Sequence, residues 1–148
     1  MKELKAIVFA TDFSESSDFS FDYAFSLTKK YNASLYVVHV INEPVDLRGF
    51  YVPHMSFDKL EEEIEEGAQK MMDKFCRTHI KDYDNYESAI LPGIPHEEII
   101  NKAQEVDADL IVMGTHGRTG IDHVLFGSTA EKVVRKSPVP VMTVRIQE

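Results

Sequence analysis

Gly114-Thr115-His116-Gly117-Arg118-Thr119-Gly120 follows the short apolar run Leu110-Ile111-Val112-Met113. Gly127-Ser128-Thr129 closes the stretch, just where a helical pattern begins that runs to Lys136. A strand that opens into a glycine-rich loop and then a helix is a physical recipe for holding a phosphate. Glycine lets the backbone approach a ligand with no Cβ in the way. The first turn of the helix offers N–H groups that lack an intrahelical acceptor, together with the positive end of the helix dipole. Ser128 and Thr129 add hydroxyls at that helix start, although Ser128 in the same geometry would also serve as an ordinary N-cap. Arg118 either pairs with a phosphate oxygen or stands solvated.

Charge points to the same segment. The chain of 148 residues carries a formal net charge of −9, which disfavours general binding to nucleic acid or to anionic membranes. Between Gly114 and Arg145, however, Arg118, Lys132, Arg135, Lys136 and Arg145 face only Asp122 and Glu131, a local net charge of +3. Lysine and arginine near helix ends have a structural explanation as well.

The elements that would position this loop alternate along the chain. Ala6-Ile7-Val8-Phe9-Ala10 is an apolar run suited to a strand covered on both faces. Thr11-Asp12-Phe13 connects it to a helix over about 16–31, with Ser14, Ser16 and Ser17 as candidate N-caps and Asn32 as the stop. Leu35 to Val40 is a second strand. The stretch 41–56 has neither period and contains Pro44, Gly49 and Pro53, so its Phe50, Tyr51 and Met55 either cover a ligand or pack on the surface. A long helix over about 58–78 follows, with Leu60, Ile64, Ala68, Met71, Met72 and Phe75 as its apolar stripe. Tyr86 to Leu91 is a third strand. A helix from Pro95 carries Ile99, Ile100, Ala103 and Val106, and the fourth strand and the glycine loop come next. Pro138 and Pro140 end the last helix, and Val141 to Ile146 is the fifth strand. This β-α alternation predicts one α/β domain over residues 1–148, a parallel sheet sandwiched between helices on both faces. In such sheets ligands sit beyond the C-terminal ends of the strands. There the chain offers Thr11, Asp12 and Phe13, then Val40 and Ile41, then Gly114 onward through His116. Asp12 at that place has two readings, as a cap of the turn before the first helix, or as an acceptor for sugar hydroxyls that can also take a magnesium ion.

The spacing Gly114-x2-Gly117-x9-Gly127-Ser128, with Asp12 after the first strand and Pro138-Val139-Pro140-Val141 near the end, resembles the universal stress protein family over the whole chain. The resemblance implies a five-stranded parallel sheet of order 3-2-1-4-5 in a single-domain three-layer sandwich. It implies binding of ATP, or of ADP or AMP, with magnesium, because members with the intact glycine pattern typically bind ATP. By matching position, Asp12 would meet the ribose or adenine side and the Val40 backbone the adenine edge. Met113 and Gly114 would line the nucleotide, and Gly117, Gly127, Ser128 and Thr129 would hold the phosphates. It further implies a homodimer through Val141–Ile146, an edge strand that is apolar and so invites pairing.

Other chemistries fit worse. The P-loop ending in Gly-Lys-Ser/Thr is absent, as is the tight Gly-x-Gly-x-x-Gly of dinucleotide folds. His116 and His123 have no companion at metal-ligand spacing, no serine stands in a Gly-x-Ser-x-Gly elbow, and His39 reads as a packed core histidine. Leu91 and Pro92 occupy the place where a receiver domain needs an aspartate. The lone Cys76, the absence of a signal-peptide pattern and the absence of a long apolar run lead to the expectation of a cytoplasmic protein without a membrane anchor. Three functions remain open at this point: a nucleotide-responsive regulatory or sensor module with a downstream protein partner, a slow ATP-hydrolysing enzyme with Asp12 holding magnesium, and a dimeric interaction protein that needs no nucleotide.

Overall fold

The computed structural model describes residues 1–42, 57–116 and 126–146. Its elements run β1 (Ala6–Ala10), α1 (Glu15–Tyr31), β2 (Ser34–Ile41), α2 (Phe57–His79), β3 (Tyr86–Pro92), α3 (Pro95–Glu105), β4 (Leu110–Gly114), α4 (Ser128–Lys136) and β5 (Val141–Val144). The five strands form one parallel sheet in the order β3-β2-β1-β4-β5, as the resemblance implied.

β1 is the middle strand and all five of its residues are buried. The period of two divides it between two cores. Ile7 and Phe9 pack with Phe21 and Ala24 of α1 and with Met72 and Phe75 of α2. Val8 and Ala10 pack on the other face with Ile99 and Ala103 of α3 and with Ala130 and Val133 of α4. The sheet is therefore the middle layer of three.

Local signals set the helix ends. Ser14 caps α1, its side chain accepting from Ser17 N–H, and Asn32 closes the helix in the left-handed region at φ 53°. The stripe expected on α2 needs one correction: Met72 is fully buried, but Met71 is 49% exposed. Adjacent helical residues stand about 100° apart, so both cannot face one core. β5 also ends earlier than expected, at Val144. Thr115 N–H takes the Val144 carbonyl and the chain then leaves β4, so Arg145 and Ile146 have no partner there.

At the sheet's N-terminal end, Asp109 ties β1 to β4. Its Oδ2 accepts from the N–H groups of Lys5 at 2.7 Å and Ala6 at 3.2 Å, and Lys2 Nζ lies 3.2 Å from Oδ1. The Lys5 amide, helped by that of Ala6 and by the Lys2 ammonium, holds the carboxyl below its ordinary range against the opposing effect of burial. A carboxyl whose folded pKa is depressed adds stability above the unfolded value, and that contribution is lost as pH falls through the folded value. Urea midpoints measured from neutral pH down past about pH 4 should therefore fall less steeply for Asp109→Asn than for the wild type. Parallel pH profiles would remove Asp109 from the acid response.

Candidate functional site

β1 and β4 are neighbours, yet the chain leaves β1 toward α1 on one face and leaves β4 toward α4 on the other. The strands part there, and a crevice opens beyond their C-terminal ends. It holds a cavity of about 380 Å³. Ala10, Val38 and Met113 from the sheet, Pro95 and Ile99 from α3, and Ala130 from α4 give the wall its apolar part. Thr11, Asp12, Ser17, His116, Ser128 and Thr129 give it polar groups. No lysine or arginine occurs among the described residues of the wall.

The turn after β1 is held by short side chains. Thr11 Oγ1 accepts from Phe13 N–H at 2.9 Å and from the Ser17 hydroxyl at 2.7 Å. Asp12 Oδ1 accepts from Ser14 N–H at 3.0 Å, so this carboxylate caps the turn while it also lines the cavity. Phe13 is brought to a different place. It sits at φ 65°, a left-handed conformation that is costly for a bulky residue, and its ring turns toward the opposite face of the sheet. There it packs at 4.5 Å from His39 and 6.3 Å from Phe75, centroid to centroid, and it is not among the described residues of the cavity wall.

Val40 reaches the cavity through strand geometry. Thr11 N–H donates to Val38 O, and Gly93 N–H donates to Ile41 O. Backbone groups alternate sides along a strand, so Val40 N–H and C=O point as those of Val38 do, into the space that β1 vacates.

The loop after β4 returns to the sheet through Gly127 N–H, which donates to Thr115 O at 2.6 Å. Gly127, not Ser128, holds the N-cap position of α4, and among the described residues no side-chain cap bond is made there. Ser128 and Thr129 stand in its first turn, at the cavity wall. The contrast with α1, capped by Ser14, is direct: the cap residue of α4 supplies no side-chain acceptor to the first N–H groups. Thr115 Oγ1 lies 3.1 Å from His116 Nδ1. Gly117 and Arg118 fall outside the described residues, as do 43–56 with Phe50, Tyr51 and Met55.

Gly114 lines the cavity, but the reason for a glycine lies on its other side. A Cβ there would point at α1 and meet Ser16 Oγ at 2.6 Å and the Ser16 carbonyl oxygen at 3.3 Å. The missing side chain lets α1 close over the end of β4, which differs from the close approach to a phosphate expected of this glycine.

Several wall residues escaped sequence reasoning. Ile99 read as part of an apolar helix stripe and Pro95 as a helix-starting residue, and both are also wall. Ser17 read as a spare N-cap. Asn42 carried no signal of its own within the aperiodic stretch 41–56.

The sequence model of the universal stress protein family matches residues 3–145. The chain belongs to the universal stress protein family. It is 33% identical over 143 residues to universal stress protein MJ0531 of Methanocaldococcus jannaschii, covering 95% of this chain and 82% of that one. The solved structure of MJ0577 from the same organism superposes with a TM-score of 0.83 at 29% identity, covering 97% of each chain. A universal stress protein of Archaeoglobus fulgidus, solved in complex with dAMP, has a TM-score of 0.66 at 23% identity and covers 94% of this chain and 96% of its own. Likeness at that last level carries the fold alone. Among the described residues, no helix of this universal stress protein is long and apolar enough to cross a membrane.

Proposed function

We propose that this universal stress protein is a regulatory or sensor module that binds an adenine nucleotide, ATP together with magnesium, in the crevice between β1 and β4. The observation that carries the reading is a cavity at the strand ends that joins apolar wall residues to the start of α4, where the cap residue Gly127 offers no side-chain acceptor. An aromatic base with an anionic tail matches that combination of apolar wall and helix start. The dAMP complex of the Archaeoglobus fulgidus relative supports an adenine base in this fold. Val40, Met113 and Gly114 would flank base and sugar, with Thr11 and Asp12 on the sugar side. His116, Gly117, Arg118, Gly127, Ser128 and Thr129 would serve the phosphates. Among the described residues, no group of three or more His, Cys, Asp or Glu forms a ready metal site. Magnesium would arrive on the phosphates, with Asp12 as its protein contact.

Calorimetry with ATP and magnesium tests the reading. A saturable heat is expected, and neither heat nor thermal shift at about millimolar nucleotide would sink it.

The module is further proposed to pair through the outer edge of β5. Ile111 N–H donates to Pro140 O and Thr115 N–H to Val144 O, so residues 140 and 144 face β4 and Thr143 faces outward. Thr143→Pro should block edge pairing without touching the β4 ladder. A monomeric elution volume on a sizing column is expected, and an unchanged one would remove this edge from the assembly.

A further inference from the structure

The last rung between β1 and β2 runs from Thr11 N–H to Val38 O, at 2.9 Å. In a parallel ladder the next rung would run from Val40 N–H to Thr11 O. That rung does not form, and the β1–β2 register ends at Ala10↔Val38. β2 nevertheless continues straight against β3 as far as Ile41↔Pro92. The Thr11 carbonyl is engaged by the imidazole of His39, whose Nδ1 lies 2.8 Å away. A carbonyl can only accept, so Nδ1 carries the hydrogen. His39 is 7% exposed, and its ring packs on Phe13 at 4.5 Å. It therefore touches both chain neighbours of Asp12, one by hydrogen bond and one by a tilted ring contact.

We propose that His39 is the positioning residue of the base end of the pocket: by taking the Thr11 carbonyl, it stops β1 from zipping onto Val40 and keeps the Val40 amide and the Asp12 carboxylate presented to the ligand. The inference rests on the adenine-nucleotide reading and deepens it. It also assigns a selectivity. An adenine edge offers an N6 amino donor beside the N1 acceptor, which complements a strand's C=O and N–H. Guanine offers O6 and N1–H, the reverse, and would leave buried groups unpaired. The orientation of Val40 set by His39 is thus a device for preferring adenine.

Wild type, His39→Leu and His39→Asn would be titrated with ATP and, by competition, with GTP. The two ligands share sugar and triphosphate, so damage to the phosphate end or to overall folding affects both alike and leaves their ratio unchanged. Leucine removes the donor, and asparagine restores an N–H near the position of Nδ1. The wild type should prefer ATP by at least about tenfold, consistent with one or two hydrogen bonds. His39→Leu should weaken ATP about tenfold and GTP little, so the preference collapses, and His39→Asn should recover most of it. An unchanged ATP affinity in His39→Leu, or equal weakening of ATP and GTP, would overturn the inference. Long-range proton–nitrogen spectra of the unmodified protein give a test independent of any variant, in which His39 must appear as the Nδ1–H form and the Nε2–H form would refute the inference. A wild type that binds no adenine nucleotide would instead defeat the functional reading on which this one stands.

Discussion

Gly127→Asp is expected to weaken ATP binding about a hundredfold while leaving the protein at least as stable as the wild type. The two effects share one cause. Gly127 is the N-cap of α4 at φ −69° and ψ 163°, an extended conformation open to any L-residue. Aspartate is among the best N-caps, because its carboxylate accepts from the N–H groups of the first turn. Replacing glycine by a good cap is worth only a few tenths of a kcal/mol, so folding gains slightly. The Gly127 N–H bond to Thr115 O belongs to the backbone and survives the change. The same carboxylate would occupy the donors assigned to a phosphate and place a negative charge where the phosphate should lie. Losing a hydrogen bond to a charged group costs about 1.5–3 kcal/mol, which with the added repulsion reaches about a hundredfold. Gly127→Ser, with a neutral cap, should fall between. The measurements are a calorimetric titration and a thermal melt on each variant. Wild-type affinity in Gly127→Asp would place the anion somewhere other than the start of α4.

Gly114→Ala should have the largest effect on stability, about 1–3 kcal/mol of destabilisation by overpacking. The added methyl would meet Ser16 Oγ at 2.6 Å, closer than such atoms approach, with the Ser16 backbone only slightly farther away. Ser16 cannot easily swing aside, because it is 8% exposed and sits in the first turn of α1. Its hydroxyl is also buried with no hydrogen-bond partner among the described residues. Ser16→Ala alone should therefore be neutral or stabilising, since it removes a desolvated group that forms no bond. In the double variant the nearest contact disappears and only the carbonyl contacts at 3.3–3.4 Å remain, so most of the lost stability should return. Urea denaturation of the four proteins completes the cycle. Additive effects of the two substitutions would mean that glycine is required at 114 for another reason.

The order and type of the elements were legible in the chain itself. Continuous apolar runs such as Ala6–Ala10 and helical stripes such as Leu60-Ile64-Ala68 follow from the local periods of strand and helix, and the cap residues Ser14 and Asn32 act within a few residues of themselves. The glycine loop and Asp12 were visible for the same reason, as residue types placed at the ends of strands. Strand order came from resemblance, because spacing alone leaves several parallel arrangements open.

Tertiary structure decided what each of those residues faces. Phe13 and Asp12 are adjacent in the chain, yet one backbone angle sends the first to the α1/α2 core and leaves the second at the cavity. Gly114 lines the cavity, but its missing side chain also answers to α1, nearly a hundred residues earlier, which packs against it. Whether Val40 bonds a neighbouring strand or faces a ligand depends on where the β1–β2 ladder stops, and that depends on an imidazole reaching a carbonyl 28 positions away. Local periodicity fixes which elements form, whereas the side a residue presents is set by long-range contacts that leave no local trace in the sequence.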